Sequence, residues 1–191
     1  MRENRLATKR SLRRWIPWAL TVAVLACGGG AALWWQTHLM PRRFAAIVDG
    51  RLYRSGKVTP AQLRRLQREY GIGRIVSLLN ADSAVTAAER RAAESLGMQW
   101  CSVPLPGDGA STPAERQQIL DLLGEPNAPP TLVHCAAGVN RTGLAIGLYR
   151  LHYQHWPLER VLAELHSFGF EDLPRHENLR EALSAEAQAG R

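Results

Sequence analysis

Apolar positions fall along this chain in two ways. From Trp15 to Trp35 they run without a charge, and from Phe44 onward they come in short runs broken by glycine, proline and polar turns. The second pattern predicts a folded unit. Residues 44–55 read as two short strands about an Asp49-Gly50 turn. Thr59-Pro60-Ala61-Gln62 is a capping box with proline at the first helical position, which predicts a helix to about Tyr70, ended by Gly71. A buried strand over 74–80, a helix over 84–96 closed by Gly97, and a strand over 98–103 follow. A second capping box, Thr112-Pro113-Ala114-Glu115, starts a helix that runs to about Leu123. The run Thr131–His134 is a further buried strand, and three helices, roughly 142–155, 158–167 and 174–188, complete the pattern. Strands alternating with helices predict an α/β fold, a central sheet surrounded by helices. The small-residue tail 185–191 is expected to fray.

The uncharged stretch 15–35 spans 21 residues, about 31 Å as a helix, which matches the ~30 Å hydrocarbon core of a bilayer. Trp15 and Trp18 stand at one end and Trp34 and Trp35 at the other, as in an interfacial aromatic belt. The residues before it are basic. We therefore expect a basic cytoplasmic tail over 1–14, one transmembrane helix over 15–35, a linker over 36–43, and the folded domain over 44–191 on the periplasmic or other extracytoplasmic side. Two other readings stay open. One is a cleaved signal segment; the other is a lipoprotein signal, with Val24-Leu25-Ala26-Cys27 as a loose lipobox and Cys27 acylated. All three put the domain outside the cytoplasm.

Charge supports that division. The net charge is +7, but residues 1–14 carry six Lys/Arg against Glu3, so the remainder holds only about +2. The basic balance thus belongs to the tail and is no argument for a nucleic-acid partner. The remainder, about 150 residues, suits one domain. Three cysteines, Cys27, Cys101 and Cys135, make no disulfide framework, and none shares zinc-site spacing with histidine.

The chemistry concentrates after the strand Thr131–His134. Cys135 ends the strand, small residues follow (Ala136, Ala137, Gly138, then Val139 and Asn140), and Arg141-Thr142-Gly143 opens a helix. Backbone N–H groups of residues 136–141 in a tight loop form an anion nest, and the helix N-terminus adds partial positive charge. Arg141 can grip two phosphate oxygens with its planar fork. The same field would lower the Cys135 thiol and yield a thiolate nucleophile at neutral pH.

His134-Cys135, five residues, then Arg141-Thr142-Gly143 resembles the signature loop of the cysteine-dependent protein tyrosine and dual-specificity phosphatases. The run Gly50-Arg51-Leu52-Tyr53-Arg54-Ser55-Gly56 resembles the segment that opens the domain in atypical dual-specificity phosphatases of bacteria, plants and fungi. The resemblance implies a dual-specificity phosphatase-like fold and a phosphocysteine intermediate at Cys135, hydrolysed by water without a metal or cofactor. It implies that Thr142 stabilises the departing thiolate, that His134 orients the loop, and that an aspartate on a preceding loop is the general acid. Asp108, in Pro104-Leu105-Pro106-Gly107-Asp108-Gly109, lies 27 residues before Cys135 and is our choice for that acid. Asp121 falls mid-helix and Asp82 precedes a different helix. The Trp-Pro-Asp wording of the tyrosine-specific branch is absent.

The remaining residues have plainer readings. Arg54 reads as half of a structural ion pair, and Asn140 as a brace within the loop. Cys101 is core packing, or a reversible disulfide partner of Cys135. His152, His155 and His166 read as surface or core rather than ligands, and Trp100 and Trp156 as core anchors. No loop residue among Ala136, Ala137, Val139 and Asn140 is cationic, whereas relatives that take highly phosphorylated inositols commonly carry Lys or Arg there, so the resemblance disfavours such substrates. Phosphotyrosine or mixed phosphoprotein substrates come first. The alternatives are a lipid-phosphate phosphatase at the membrane surface and a non-catalytic phosphate-binding module. The Arg141-Thr142-Gly143 ending argues against a sulfur-transfer domain.

Overall fold

The computed structural model describes residues 40–189 and the isolated positions Trp18, Thr21 and Gly28. The expected tail over 1–14, most of the expected membrane helix over 15–35, and Cys27 lie outside the described residues. Trp18, Thr21 and Gly28 are helical and exposed, and no helix among the described residues is long and apolar enough to cross a membrane. Met1–Met40 and Pro41–Arg191 are separate compact units, and the sheet and all the strands among the described residues belong to the second.

Strands β1 (Ala45–Val48) and β2 (Leu52–Ser55) form the antiparallel hairpin expected about Asp49-Gly50. Helix α1 (Pro60–Tyr70) starts at the Thr59/Gln62 capping box, closed in both directions, and stops where Gly71 turns left-handed at φ +65°. β3 (Arg74–Ser77) leads to α2 (Ala84–Ser95), capped by Ser83, and then to β4 (Gln99–Ser102). α3 (Pro113–Gly124) starts at the second capping box, Thr112/Glu115. β5 (Thr131–His134) enters the cysteine loop, and α4 (Asn140–Gln154), α5 (Leu158–Ser167) and α6 (Glu177–Ala189) follow.

Four boundaries differ from expectation. β3 ends at Ser77, three residues early, and the chain turns away through Asn80 to the Ser83 cap. β4 is one residue shorter than expected at each end. α4 begins at Asn140, so Arg141 sits inside its first turn. The expected third helix is split, because Pro174–His176 form a 3-10 turn before α6. The tail does not fray at 185: α6 continues to Ala189, and Glu186 is held by Arg116 at 2.7 Å and His152 at 3.0 Å.

The sheet order is β1-β2-β5-β3-β4, with β2, β5, β3 and β4 parallel. β5 is therefore central. Register aligns Tyr53, Leu132, Ile75 and Trp100 across the four parallel strands, and one residue on it aligns Arg54, Val133, Val76 and Cys101. Because successive side chains face opposite sides, these rows line opposite faces. Val133, Val76 and Cys135 join one large core with Ile119, Leu144, Ile146, Leu148 and Leu183 from α3, α4 and α6. α1 and α2 pack against each other, and α4 packs against α3, α5 and α6. The alternation thus sends His134 and Cys135 to different sides of the sheet.

Candidate active site

β5 is buried along its whole length, and Cys135 follows it at 2% exposure. Burial alone would raise a thiol. Here it is outweighed by hydrogen bonds from the Thr142 hydroxyl, the Thr142 N–H and the Gly138 N–H, and by the Arg141 charge, so the Cys135 pKa is lowered. The Gly138 N–H lies 3.2 Å from the sulfur. Gly138 has φ +73°, and a methyl group there would meet the Gly56 nitrogen at 2.6 Å. The loop is thus pressed onto the end of β2, and only glycine fits at that point. No side chain caps the start of α4: within its first turn the Thr142 N–H turns to the Cys135 sulfur, and the helix start faces the site where an anion would sit.

The expected loop residues 136–141 come together around Cys135 as one turn leading into α4. Thr142 is fully buried, and its hydroxyl also lies 3.4 Å from the Ser55 carbonyl, the alternative acceptor for its single proton. Arg141 donates to the carbonyls of Leu78, at 3.2 Å, and Leu105, at 3.3 Å. It thereby connects the cysteine loop to the segments leaving β3 and β4. Asp108 is half-buried in the loop after β4, where its Oδ1 accepts from the Ala110 N–H at 3.1 Å. It lines a cleft of about 400 Å³ with Gly107, Asn140, Glu171, Arg175 and His176. Asn140 braces more than its own loop. Its amide donates to the Gly107 carbonyl at 3.4 Å and to His176 Nε2 at 3.1 Å, joining the Asp108 loop to the turn before α6.

Known proteins share this fold. A model described as the tyrosine phosphatase family matches residues 38–185. The chain belongs to the tyrosine phosphatase family. The dual specificity protein phosphatase TpbA of Pseudomonas aeruginosa is 28% identical over 121 residues, 63% of this chain. The chain spans about half, 52%, of that curated relative's length. A crystal structure of TpbA superposes with TM-score 0.61 at 25% identity, covering 77% of this chain and 95% of that one. A Shewanella putrefaciens putative phosphatase gives TM-score 0.68 at 17% identity, covering 81% and 94%. The catalytic core of the yeast PP-IP phosphatase SIW14 gives TM-score 0.65 at 22% identity, covering 75% and 85%; these last two establish the fold alone.

Around this family loop the structure adds a residue that the sequence did not single out. Glu89, on α2, is buried at 2% exposure and lies 3.0 Å from His134 Nε2. Trp100 is half-buried and spends its indole N–H on the same carboxylate, at 3.1 Å. Only the helical face of α2 could have suggested Glu89, and 45 residues separate it from His134.

Two expectations are corrected. Arg54 forms no ion pair among the described residues. Fully buried, it donates to the Gly138 carbonyl at 2.7 Å and stacks 3.7 Å over the Phe168 ring. Burial pushes its guanidinium down to about 10, against the favourable fields of Glu164 and Cys135. Cys101 is no disulfide partner for Cys135. Its strand neighbour is Val76, and Val76 in turn neighbours Val133, so two strand spacings of ~4.8 Å separate the rows, beyond the ~7 Å reach of a disulfide. Trp156 packs against the core as expected, and its ring is also stacked by the guanidinium groups of Arg150, at 4.0 Å, and Arg160, at 3.6 Å.

Proposed function

We propose that the protein is a phosphomonoester hydrolase that works through a phosphocysteine at Cys135, on phosphotyrosine or mixed phosphoprotein substrates. The observation that carries this reading is the hydrogen-bonded, low-pKa Cys135 sulfur facing an uncapped helix start with Arg141 in its first turn. The Cys135 thiolate attacks phosphorus while the bond from phosphorus to the leaving oxygen breaks, and Asp108 gives that oxygen its proton. Backbone N–H groups of residues 136–141 and the Arg141 fork hold the non-bridging oxygens. Water then attacks the phosphocysteine, Asp108 takes the water's proton, and the sulfur–phosphorus bond breaks. The returning thiolate is received by the Thr142 hydroxyl and the Gly138 N–H. Family membership supports this chemistry, as does a crystal structure of TpbA in a Cys-to-Ser form in complex with pTyr.

The reading includes placement. The 15–35 segment anchors the protein in a membrane, with its N-terminus cytoplasmic and its phosphatase domain on the periplasmic or extracytoplasmic side. Its support is the uncharged length and the basic flank.

The test is hydrolysis of an aryl phosphate and of a phosphotyrosine peptide by the full chain, beside Cys135→Ser. Turnover by the wild type, with none from the variant, is expected. Wild type that binds vanadate under reducing conditions without turning over either substrate would make it a binding module. Membrane fractionation with protease added from either side tests the placement. A domain digested only from the cytoplasmic side would overturn it.

A further inference from the structure

Three consecutive carbonyls of the cysteine loop accept hydrogen bonds from the segment around the N-terminal hairpin. The Ala136 carbonyl accepts the Lys57 N–H at 3.1 Å, the Ala137 carbonyl accepts Arg43 Nη1 at 3.0 Å, and the Gly138 carbonyl accepts Arg54 Nη2 at 2.7 Å. A trans peptide is planar, so its C=O and N–H point in opposite directions. Fixing a carbonyl outward therefore fixes the next residue's N–H inward. In the 137–138 unit the carbonyl is held by Arg43, and the N–H donates to the Cys135 sulfur at 3.2 Å.

We propose that Arg43 and Arg54 are positioning residues: they hold the Ala137 and Gly138 carbonyls outward, and so keep the N–H groups of Gly138 and Val139 aimed at the thiolate and the phosphate. Neither touches substrate. Both are themselves fixed from α5's end. Arg43 Nε donates to the Phe168 carbonyl at 2.9 Å, and Arg54 lies on the Phe168 ring. Arg43 also holds a left-handed backbone, φ +54°, which non-glycine residues adopt only where surroundings impose it. Arg54 Nε and Nη1 have no hydrogen-bond partner among the described residues, so beyond its stacking on Phe168 this buried cation spends itself on one short bond to the loop. Main-chain donors preset in this way need no rearrangement as charge develops, the condition under which they contribute most to rate.

The proposal rests on the phosphatase reading, but its test does not require turnover. In the full-length protein, the pH dependence of Cys135 alkylation by iodoacetamide is followed by mass spectrometry of the Cys135 peptide, and vanadate affinity is measured alongside. Arg43→Met and Arg54→Met are expected to move the alkylation midpoint to higher pH and to weaken vanadate on the order of tenfold each. Arg54→Lys is expected to recover part of the midpoint shift. Ile75→Val, a core change on the other face of the sheet, is the stability control. Variants that melt earlier, like Ile75→Val, but keep the wild-type midpoint and vanadate affinity would overturn the proposal. If Arg54→Met does not fold, Arg43→Met, at a partly exposed position, decides alone. An inactive wild type with a shifted midpoint in the variants would sink the enzyme reading and leave this one standing.

Discussion

Glu89 and His134 form a pair 3.0 Å apart, with both side chains closed off from water, immediately behind the nucleophile. His134 Nδ1 lies 3.4 Å from the Cys135 carbonyl, so the pair fixes the imidazole against the loop. Removing one member of such a pair strands the other. Glu89→Ala is expected to lower unfolding free energy by about 3 kcal/mol, and Glu89→Gln, which keeps an acceptor, by much less. Urea denaturation separates the two; equal midpoints for wild type and Glu89→Ala would refute the role.

Gly138→Ala should damage activity beyond its effect on folding. The added methyl would meet the Gly56 nitrogen at 2.6 Å and the Ser55 carbonyl carbon at 2.7 Å, both backbone atoms that cannot step aside. The loop must shift, and kcat is expected to fall about 100-fold or more, as when an oxyanion donor is lost. Aryl phosphate kinetics beside a melting curve check this. Full activity in a stable variant would contradict it.

The lowered Cys135 pKa sets the acid side of the pH profile. The reactive thiolate persists below the ordinary thiol range near ~8.5, and activity falls only as pH drops through the lowered value. Thr142→Val keeps the shape but removes the hydroxyl donor. Its acid limb should therefore move to higher pH. A profile that stays in place would show that the hydroxyl does not act on the thiolate.

Asp108→Asn is expected to slow turnover according to how much the leaving group needs a proton. The loss should be small for an aryl phosphate with a good leaving group and about 10²-fold or more for an alkyl phosphate. Equal losses on both substrates would assign Asp108 a turn role, consistent with its bond to the Ala110 N–H.

Cys101→Ser should leave peroxide inactivation and its reversal by thiols unchanged, because β3 lies between the two cysteines. Rates of inactivation and recovery test this. Slower recovery in the variant would point to a disulfide that the sheet geometry forbids.

Local signals carried much of this molecule. Both capping boxes formed at Thr59 and Thr112, since each is closed within four residues of chain. Cys135, Gly138, Arg141 and Thr142 stood out because the loop is contiguous in sequence. What stayed hidden is set by tertiary approach. Arg54 looks like any exposed strand arginine until β2 is seen beside β5, with 84 residues between it and Gly138. Arg43 reaches Ala137 across 94 residues, and Glu89 reads as one more polar position on a helix. The first two residues of α4 were missed because Val139, at its N-cap, offers no capping side chain, and Asn140 spends its amide on Gly107 and His176.

The central position of β5 also governs how the molecule opens. Leu132 and Val133 are fully buried and flanked by β2 on one side and β3 on the other. Their amides cannot meet solvent through fraying of an edge; the sheet must come apart. Hydrogen exchange at this strand should therefore report the global unfolding free energy, while the Asp108 loop exchanges through local fluctuation. The nucleophile is rooted in the last part of the domain to open, and its proposed acid partner sits in one of the first.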